Sequence, residues 1–253
     1  MTLAHPLGMQ LYSGRKFPPV EAQLATIARH GFTNVETFGP LYDDVDSTRR
    51  MLDAHGLRAR SAHFSLAMLE DEGERVAIAR RLGVEIVVTP YLTPAERPAT
   101  VGGWKALGAH LLRIEARLSA AGLRFAWHNH GFEFEALADG SLPIEHLLGD
   151  HLLWEADLAW MVLAGADPRP WIERYRGRIP LVHVKDIAPA GENADEDGWA
   201  DVGTGTLPWS QLWRHCVAAG AEMMIAEHDN PSDFDRFARV SAAAMRGYGQ
   251  GER

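Results

Sequence analysis

One supersecondary phrase recurs along this chain, and it constrains the fold more than any other feature. A helical segment ends in glycine, a short β-rich run follows, and a polar residue closes the run. Ala28-Arg-His-Gly leads to Thr33-Asn-Val-Glu-Thr, and Asp53-Ala-His-Gly leads to Arg58-Ala-Arg-Ser-Ala-His. Arg81-Leu-Gly leads to Val84-Glu-Ile-Val-Val-Thr-Pro, Ala120-Ala-Gly to Leu123-Arg-Phe-Ala-Trp-His, and Ala218-Ala-Gly to Ala221-Glu-Met-Met-Ile-Ala-Glu. A glycine just past a helix takes the left-handed conformation at little cost. Arg29, His30, His55, Arg80 and Arg81 fall in last turns, where positive charge suits the helix dipole. His30 and His55 therefore read as helix caps, not as catalytic groups.

Three further β-rich runs complete the set: Pro6-Leu-Gly-Met-Gln-Leu-Tyr-Ser, Leu152-Leu-Trp-Glu-Ala-Asp and Pro180-Leu-Val-His-Val-Lys. Helical patterns lie at about 20–30, 45–55, 70–82, 103–121, 142–148, 168–176, 208–219 and 231–247. Strands alternating with helices imply a parallel sheet, and eight such units imply closure into a (β/α)8 TIM barrel. The rival, an open doubly wound sheet, calls for a glycine-rich nucleotide loop after an early strand; Gln10-Leu-Tyr-Ser-Gly-Arg is not one. No linker divides the chain, so residues 1–253 read as a single domain. The longest irregular stretch runs from Ile187 to Leu207 and carries Glu192, Asp195, Glu196 and Asp197. Two readings of it stand side by side: a lid or binding loop, and a solvated acidic loop.

The length of 253 residues suits a one-domain barrel, and 46% hydrophobic content with 23% charge is enough to build a full core. No apolar run is long enough to cross a bilayer, and the N-terminus lacks the basic-then-apolar pattern of a signal peptide. With one cysteine, Cys216, in a helical pattern, the chain fits a reducing cytoplasm, and Cys216 reads as a small buried hydrophobe. A net charge of −9 argues against a nucleic-acid partner.

In such a barrel the active site lies at the C-terminal ends of the strands. Strand two ends with Glu36 and strand three with His63. Strand five gives His128, Asn129 and His130, with Glu133 just beyond. Strand six gives Glu155 and Asp157, strand seven His183 and Lys185, and strand eight Glu227, His228 and Asp229. Alternate strand residues face opposite sides. His128 and His130 therefore share a face, as do Glu155 with Asp157, His183 with Lys185, and Glu227 with Asp229. Trp127, Trp154, Val182, Val184 and Ala226 then face the helices, and His228 has the wrong parity to join Glu227. Carboxylates and neutral imidazoles converging on one cavity are a ligand set for a divalent cation, which also relieves their mutual repulsion.

At these residues the chain resembles the xylose isomerase-like TIM barrel enzymes, the sugar phosphate isomerases/epimerases. Six motifs carry the resemblance: Trp127-His-Asn-His-Gly-Phe-Glu-Phe, Asp157-Leu-Ala-Trp, Gly165-Ala-Asp-Pro, His183-Val-Lys-Asp, Val202-Gly-Thr-Gly-Thr-Leu-Pro-Trp and Ala226-Glu-His-Asp. It implies one divalent metal ion (Mn²⁺, Mg²⁺, Co²⁺ or Zn²⁺) held by Glu133, Asp157, His183 and Glu227, with His128 or His130 as alternatives to Glu133. It also implies a small sugar-like substrate, and a homo-oligomer is in keeping with it.

The expected chemistry is proton transfer α to a metal-chelated carbonyl, with Glu133 and Glu227 as opposed acid/base groups and Lys185 assisting the oxyanion or balancing charge. Glu36, His63, His128 and His130 are expected to bind substrate, Trp160 and Trp209 to wall the pocket, and Glu155 to sit below Asp157. Isomerisation or epimerisation is the first expectation. Dehydration or lysis of a keto-sugar or keto-inositol is the second. Two readings come from other classes: a non-catalytic sugar-binding barrel, and a multi-zinc nuclease, which the acidic charge disfavours.

Overall fold

The computed structural model describes residues 5–70 and 72–250. Eight parallel strands form a closed barrel: β1 (Leu7–Gln10), β2 (Asn34–Thr37), β3 (Arg58–His63), β4 (Ile86–Thr89), β5 (Arg124–His128), β6 (Leu153–Asp157), β7 (Leu181–Val184) and β8 (Met223–Ala226). Each strand pairs with its sequence neighbour, and β1 pairs with β8 to close the ring. The expected TIM barrel is the observed fold.

Nine α-helices surround it among the described residues: α1 (Val20–Arg29), α2 (Val45–Ala54), α3 (Glu72–Leu82), α4 (Val101–Ala120), α5 (Pro143–Leu148), α6 (Leu158–Leu163), α7 (Pro168–Arg174), α8 (Trp209–Ala218) and α9 (Phe234–Gln250). The five glycines of the repeated phrase, Gly31, Gly56, Gly83, Gly122 and Gly220, all have positive φ, from 66° to 103°. That conformation lets the chain leave each helix and turn straight into the next strand. His30 and His55 are the C-cap residues of α1 and α2, as expected. The sequence pattern did not suggest α6. It starts immediately after β6, where the Asp157 carboxylate accepts a hydrogen bond from the Trp160 N–H at 2.9 Å, the usual way an N-cap satisfies an orphan donor.

Side-chain parity holds as read. Trp127, Trp154, Val182, Val184 and Ala226 are buried in the large core between strands and helices. Leu52, Leu111 and Ile114 bring helix stripes into that core, and burying a side chain of this size stabilises the fold by about 1.5–3 kcal/mol. At Gly108 helix α4 comes so close to α5 that an added Cβ would lie 2.2 Å from the His146 carbonyl oxygen. A smaller cluster, Ile86, Val88, Ala126, Leu181, Met223 and Ile225, fills the lower barrel interior. Arg60–Glu85 and Arg124–Glu222 ion pairs sit at the strand starts. The upper interior is polar, and this is where the site lies.

The stretch after β7 is ordered. Asp186–Ile187 pairs antiparallel with Trp199–Ala200. The Asp186 carboxylate accepts from the backbone N–H groups of Ile187, Gly203, Gly205 and Leu207 at 3.0–3.2 Å. Arg236 on α9 holds Glu196 at 2.6 Å and Asp201 at 2.8 Å. So Glu196 and Asp201 are buried in ion pairs and the segment is a fixed roof; of the four acidic residues singled out in the sequence, Glu196 is held this way, while Glu192, Asp195 and Asp197 are exposed, as in the solvated-loop reading. Cys216 is fully buried, and burial pushes its thiol up to about 12. Among the described residues no helix is long and apolar enough to cross a membrane.

Candidate active site

Strand ends and the loops after them bring the polar residues to the top of the barrel. Register sets their heights: His128 lies beside Glu155, and Asp157 beside His183. Donor atoms of His128, Asp157, His183 and Glu227 all lie within 4.8 Å of one another, and all four residues are buried. His183 Nδ1 is 2.9 Å from Glu227 Oε2 and 3.9 Å from Asp157 Oδ2. Two atoms of this group, Asp157 Oδ2 and His128 Nδ1, are buried without a hydrogen-bond partner. Orphaned buried polar atoms are costly, and a lone pair on each is what a cation needs. The residues present therefore fit a divalent ion.

Just beneath, His183 Nε2 meets Glu36 Oε1 at 2.9 Å, and His63 Nε2 meets Glu155 Oε2 at 2.7 Å. Gln10 Nε2 donates to Glu36 at 2.6 Å. Beside the upper group, Lys185 is fully buried, with its ammonium 2.6 Å from Asp229, 3.2 Å from Glu227 and 3.8 Å from Asp157. It also lies over the faces of Trp199 and Trp160, 4.3 and 5.2 Å from the ring centres.

The electrostatics divide these groups into two kinds. Burial opposes ionisation of Glu36, but the charges of His63 and His183 outweigh it and hold its carboxyl well below the usual range. Glu227 is likewise held down, by His183 and Lys185 against burial. Burial opposes a charge on His183, yet Glu227 and Glu155 keep it well above an ordinary histidine. His63 rises to about 10 against burial because Glu36 and Glu155 face it. Conversely, burial and the His183 charge push His128 well below the ordinary value, so its imidazole is neutral. Burial, with Lys185, takes His130 down to about 3. Burial raises Asp157 to about 6 against the pull of Lys185, and burial with the Glu36 charge raises Glu155 to about 7.

Above the donor group lies a pocket of about 620 Å³. His63, His128, His130, Trp160, Glu227 and Asp229 line it, with Tyr12, Phe38 and Tyr91 among its aromatic walls. Among the described residues no arginine or lysine lines it.

Three expectations need correction. Glu133 does not join the donor group. After β5 the chain turns into a short 3-10 helix, Phe132–Phe134, which carries Glu133 to the helix-facing side. There its carboxylate accepts from the Trp127 indole at 3.0 Å and from the His130 N–H at 2.8 Å. Burial pushes it up to about 8. His128 is the strand-five member of the group instead. Glu36 does not face the pocket, because it is fully buried under His63 and His183. Trp209 is buried too, its indole donating to the Lys185 carbonyl at 2.9 Å, so it positions Lys185 and does not wall the cavity. His63, His130 and Trp160 do line the pocket, and Glu155 lies in the layer below the upper donors.

Sequence reasoning placed Asn129 and Asp186 in its motifs but gave neither a role. The Asn129 side-chain oxygen accepts from the Trp154 indole and the Asp157 N–H, and its amide donates to the Asp157 carbonyl, fixing the backbone at the β6 end. Its place between two histidines was the only signal. Asp186, within His183-Val-Lys-Asp, pins the roof.

A family model described as "Xylose isomerase-like TIM barrel" matches residues 24–247. A curated relative, inosose dehydratase from Lacticaseibacillus casei, is 25% identical over 190 residues. That alignment covers 66% of this chain and 62% of the relative, so the chain spans under two thirds of the relative's length. In fold, it matches the solved structure of a sugar phosphate isomerase/epimerase from Parabacteroides distasonis, with a TM-score of 0.80 at 23% identity over 97% of this chain and 94% of that one. The IOLI protein, solved with a bound zinc atom, matches with a TM-score of 0.75 at 13% identity over 98% and 99% of the two chains. The repeated phrase, the closed eight-stranded barrel and the family match agree: the chain belongs to the xylose isomerase-like TIM barrel family.

Proposed function

We propose that this protein is a divalent-metal-dependent enzyme that moves a proton α to the carbonyl of a small, uncharged keto-sugar. The observation that carries the reading is the donor group at the pocket floor, His128, Asp157, His183 and Glu227, with Asp157 Oδ2 and His128 Nδ1 buried and unpartnered. One divalent ion, of Mn²⁺, Mg²⁺, Co²⁺ or Zn²⁺, would be held there; it supplies Lewis acidity that polarises a carbonyl and acidifies the adjacent carbon.

The chain's own residues do the rest. Glu227 reaches the pocket and is held ionised, so it is the base. Lys185 keeps that charge in place from 3.2 Å and stabilises negative charge developing nearby. The proton that Glu227 takes passes through the Lys185 ammonium, which contacts both carboxyls, to Asp229, also in the pocket, and Asp229 returns it to the substrate. His130 and Trp160 stand 5.2 Å apart, centre to centre, and give the sugar ring an aromatic wall. With no arginine or lysine among the described lining residues, the pocket suits a substrate without phosphate.

Glu227 and Asp229 are the carboxylates of the pocket lining among the described residues, and both follow β8. They serve one face of a substrate. That arrangement supports proton transfer between neighbouring carbons, an isomerisation, over inversion at one carbon. It also suits loss of a β-hydroxyl from that face. The relative named inosose dehydratase favours this second reading, dehydration of a keto-inositol.

The test is incubation of Mn²⁺-loaded protein with a panel of keto-sugars and keto-inositols in D₂O, followed by NMR. Deuterium at the α carbon of one panel member is expected, lost in Glu227→Gln. The product separates the outcomes: an aldose marks isomerisation, and a dehydrated dicarbonyl marks the second reading. No exchange with any member, while the ion is bound, would overturn the proposal and favour a sugar-binding barrel.

A further inference from the structure

Below the upper donors, four atoms close a ring inside the barrel. His63 Nε2 is 2.8 Å from Glu36 Oε1 and 2.7 Å from Glu155 Oε2. His183 Nε2 is 2.9 Å from the same Glu36 oxygen and 3.3 Å from the same Glu155 oxygen. All four residues are buried, and their donor atoms lie within 4.8 Å of one another.

Hydrogen bonds account for two edges of this ring and leave the other two without a hydrogen. Each imidazole nitrogen carries at most one hydrogen, directed along one line. Two N–H groups therefore face four close contacts. Glu36 Oε1 already accepts from Gln10 at 2.6 Å. One oxygen on each carboxylate, Glu36 Oε2 and Glu155 Oε1, is buried with no partner at all. A single cation at the centre meets all four contacts together. Ring edges of 2.7–3.3 Å place the centre about 2 Å from each atom, the bond length of a divalent ion to nitrogen and oxygen. Two imidazoles and two carboxylates neutralise a 2+ charge and suit Zn²⁺, Co²⁺ or Mn²⁺. His63 lines the pocket, so an ion has a way in.

We propose that Glu36, His63, Glu155 and His183 form a second divalent-cation site, stacked beneath the first and sharing His183 through its other ring nitrogen, so that with both ions bound the ring would have given up both N–H protons to solvent and would bridge them as an imidazolate. Nδ1 of that residue faces Glu227, and Nε2 faces the lower ring.

Zn²⁺ titration followed by desalting and elemental analysis tests this. Wild type is expected to hold two ions per chain. Glu36→Gln with Glu155→Gln is expected to hold one, and His128→Ala with Asp157→Asn is also expected to hold one. A single ion in wild type, its count unchanged by Glu36→Gln with Glu155→Gln, overturns the lower site. A second measurement needs no variant. Zinc-edge anomalous diffraction from wild-type crystals is expected to show a peak inside the ring, about 2 Å from each of the four atoms. A peak at the upper donors with none in the ring overturns the proposal.

Discussion

Binding of the first metal equivalent is predicted to release a proton from His183. Both ring nitrogens of His183 are engaged by carboxylates, Nδ1 by Glu227 and Nε2 by Glu36, each at 2.9 Å. Two carboxylate partners on one ring call for two N–H groups, so the ring is an imidazolium. Its pKa stands well above the ordinary histidine value because Glu227 and Glu155 outweigh burial. A metal ligand must instead offer a lone pair. Below the raised pKa, one proton leaves for each ion bound at Nδ1. The apparent Kd then falls about tenfold per pH unit, or ~1.4 kcal/mol. Between pH 6.5 and 8.0 that amounts to about 30-fold tighter binding. Below pH 6 the slope steepens, since Asp157, raised to about 6, must also lose a proton. The assay is calorimetric titration of Mn²⁺ into EDTA-treated protein, in two buffers of different ionisation heat, across that range. The heats must differ by one buffer ionisation per ion. A Kd constant within about threefold between pH 6.5 and 8.0, with equal heats in both buffers, would refute the imidazolium assignment.

The same charges set the pH dependence of stability. A histidine whose folded pKa is raised stabilises fully below its unfolded value and loses that contribution as pH climbs through the folded value; for His63 the window runs from about 6.5 to about 10. Glu133, raised to about 8 by burial, adds a loss between its ordinary value and pH 8. The Tm of EDTA-treated protein should therefore fall from pH 6.5 to 9.5, and a rising Tm over that range counts against these assignments. Glu133→Ala strands the Trp127 indole and the His130 N–H. At about 1–3 kcal/mol per stranded buried donor, it should lower Tm clearly while metal per chain stays unchanged; loss of the ion would return Glu133 to the ligand set. Asp186→Ala removes the acceptor for four backbone N–H groups of the roof. Limited proteolysis should then cut within 187–207 at a rate at least tenfold above wild type, and equal resistance would mean that other contacts hold the roof.

What was legible in the sequence follows from how far a local rule reaches. The helix-ending glycines were legible because a left-handed residue between helix and strand has few alternatives, and all five have the expected φ. Facing was legible along each strand because alternation is rigid there. It put Trp127 and Trp154 on the outer side and His128, Glu155 and His183 inside, which is where they lie. The parity rule stops where the strand stops. Glu133 is five residues past His128, beyond a 3-10 turn that re-aims the side chain, and spacing cannot foresee that rotation. Helix α6 was hidden for a similar reason: it spans six residues, and its cap is the strand-six Asp157 itself, so one residue ends one element and begins the next.

Height within the barrel was the least legible quantity. Glu36, His63 and Glu155 all lie within the last three residues of their strands with inward parity, which by itself puts them at the pocket. Side-chain reach decides which of them joins which group. His128 pairs in register with Glu155, yet its donor atom joins those of Asp157, His183 and Glu227, while Glu155 joins Glu36, His63 and His183. The inward donors therefore fall into two groups, and His183 belongs to both because its two ring nitrogens point to different carboxylates. Sequence pattern counts the polar residues of the interior and gives their direction. Only the distances between donor atoms show that they make two donor groups, not one, and that a single histidine joins them.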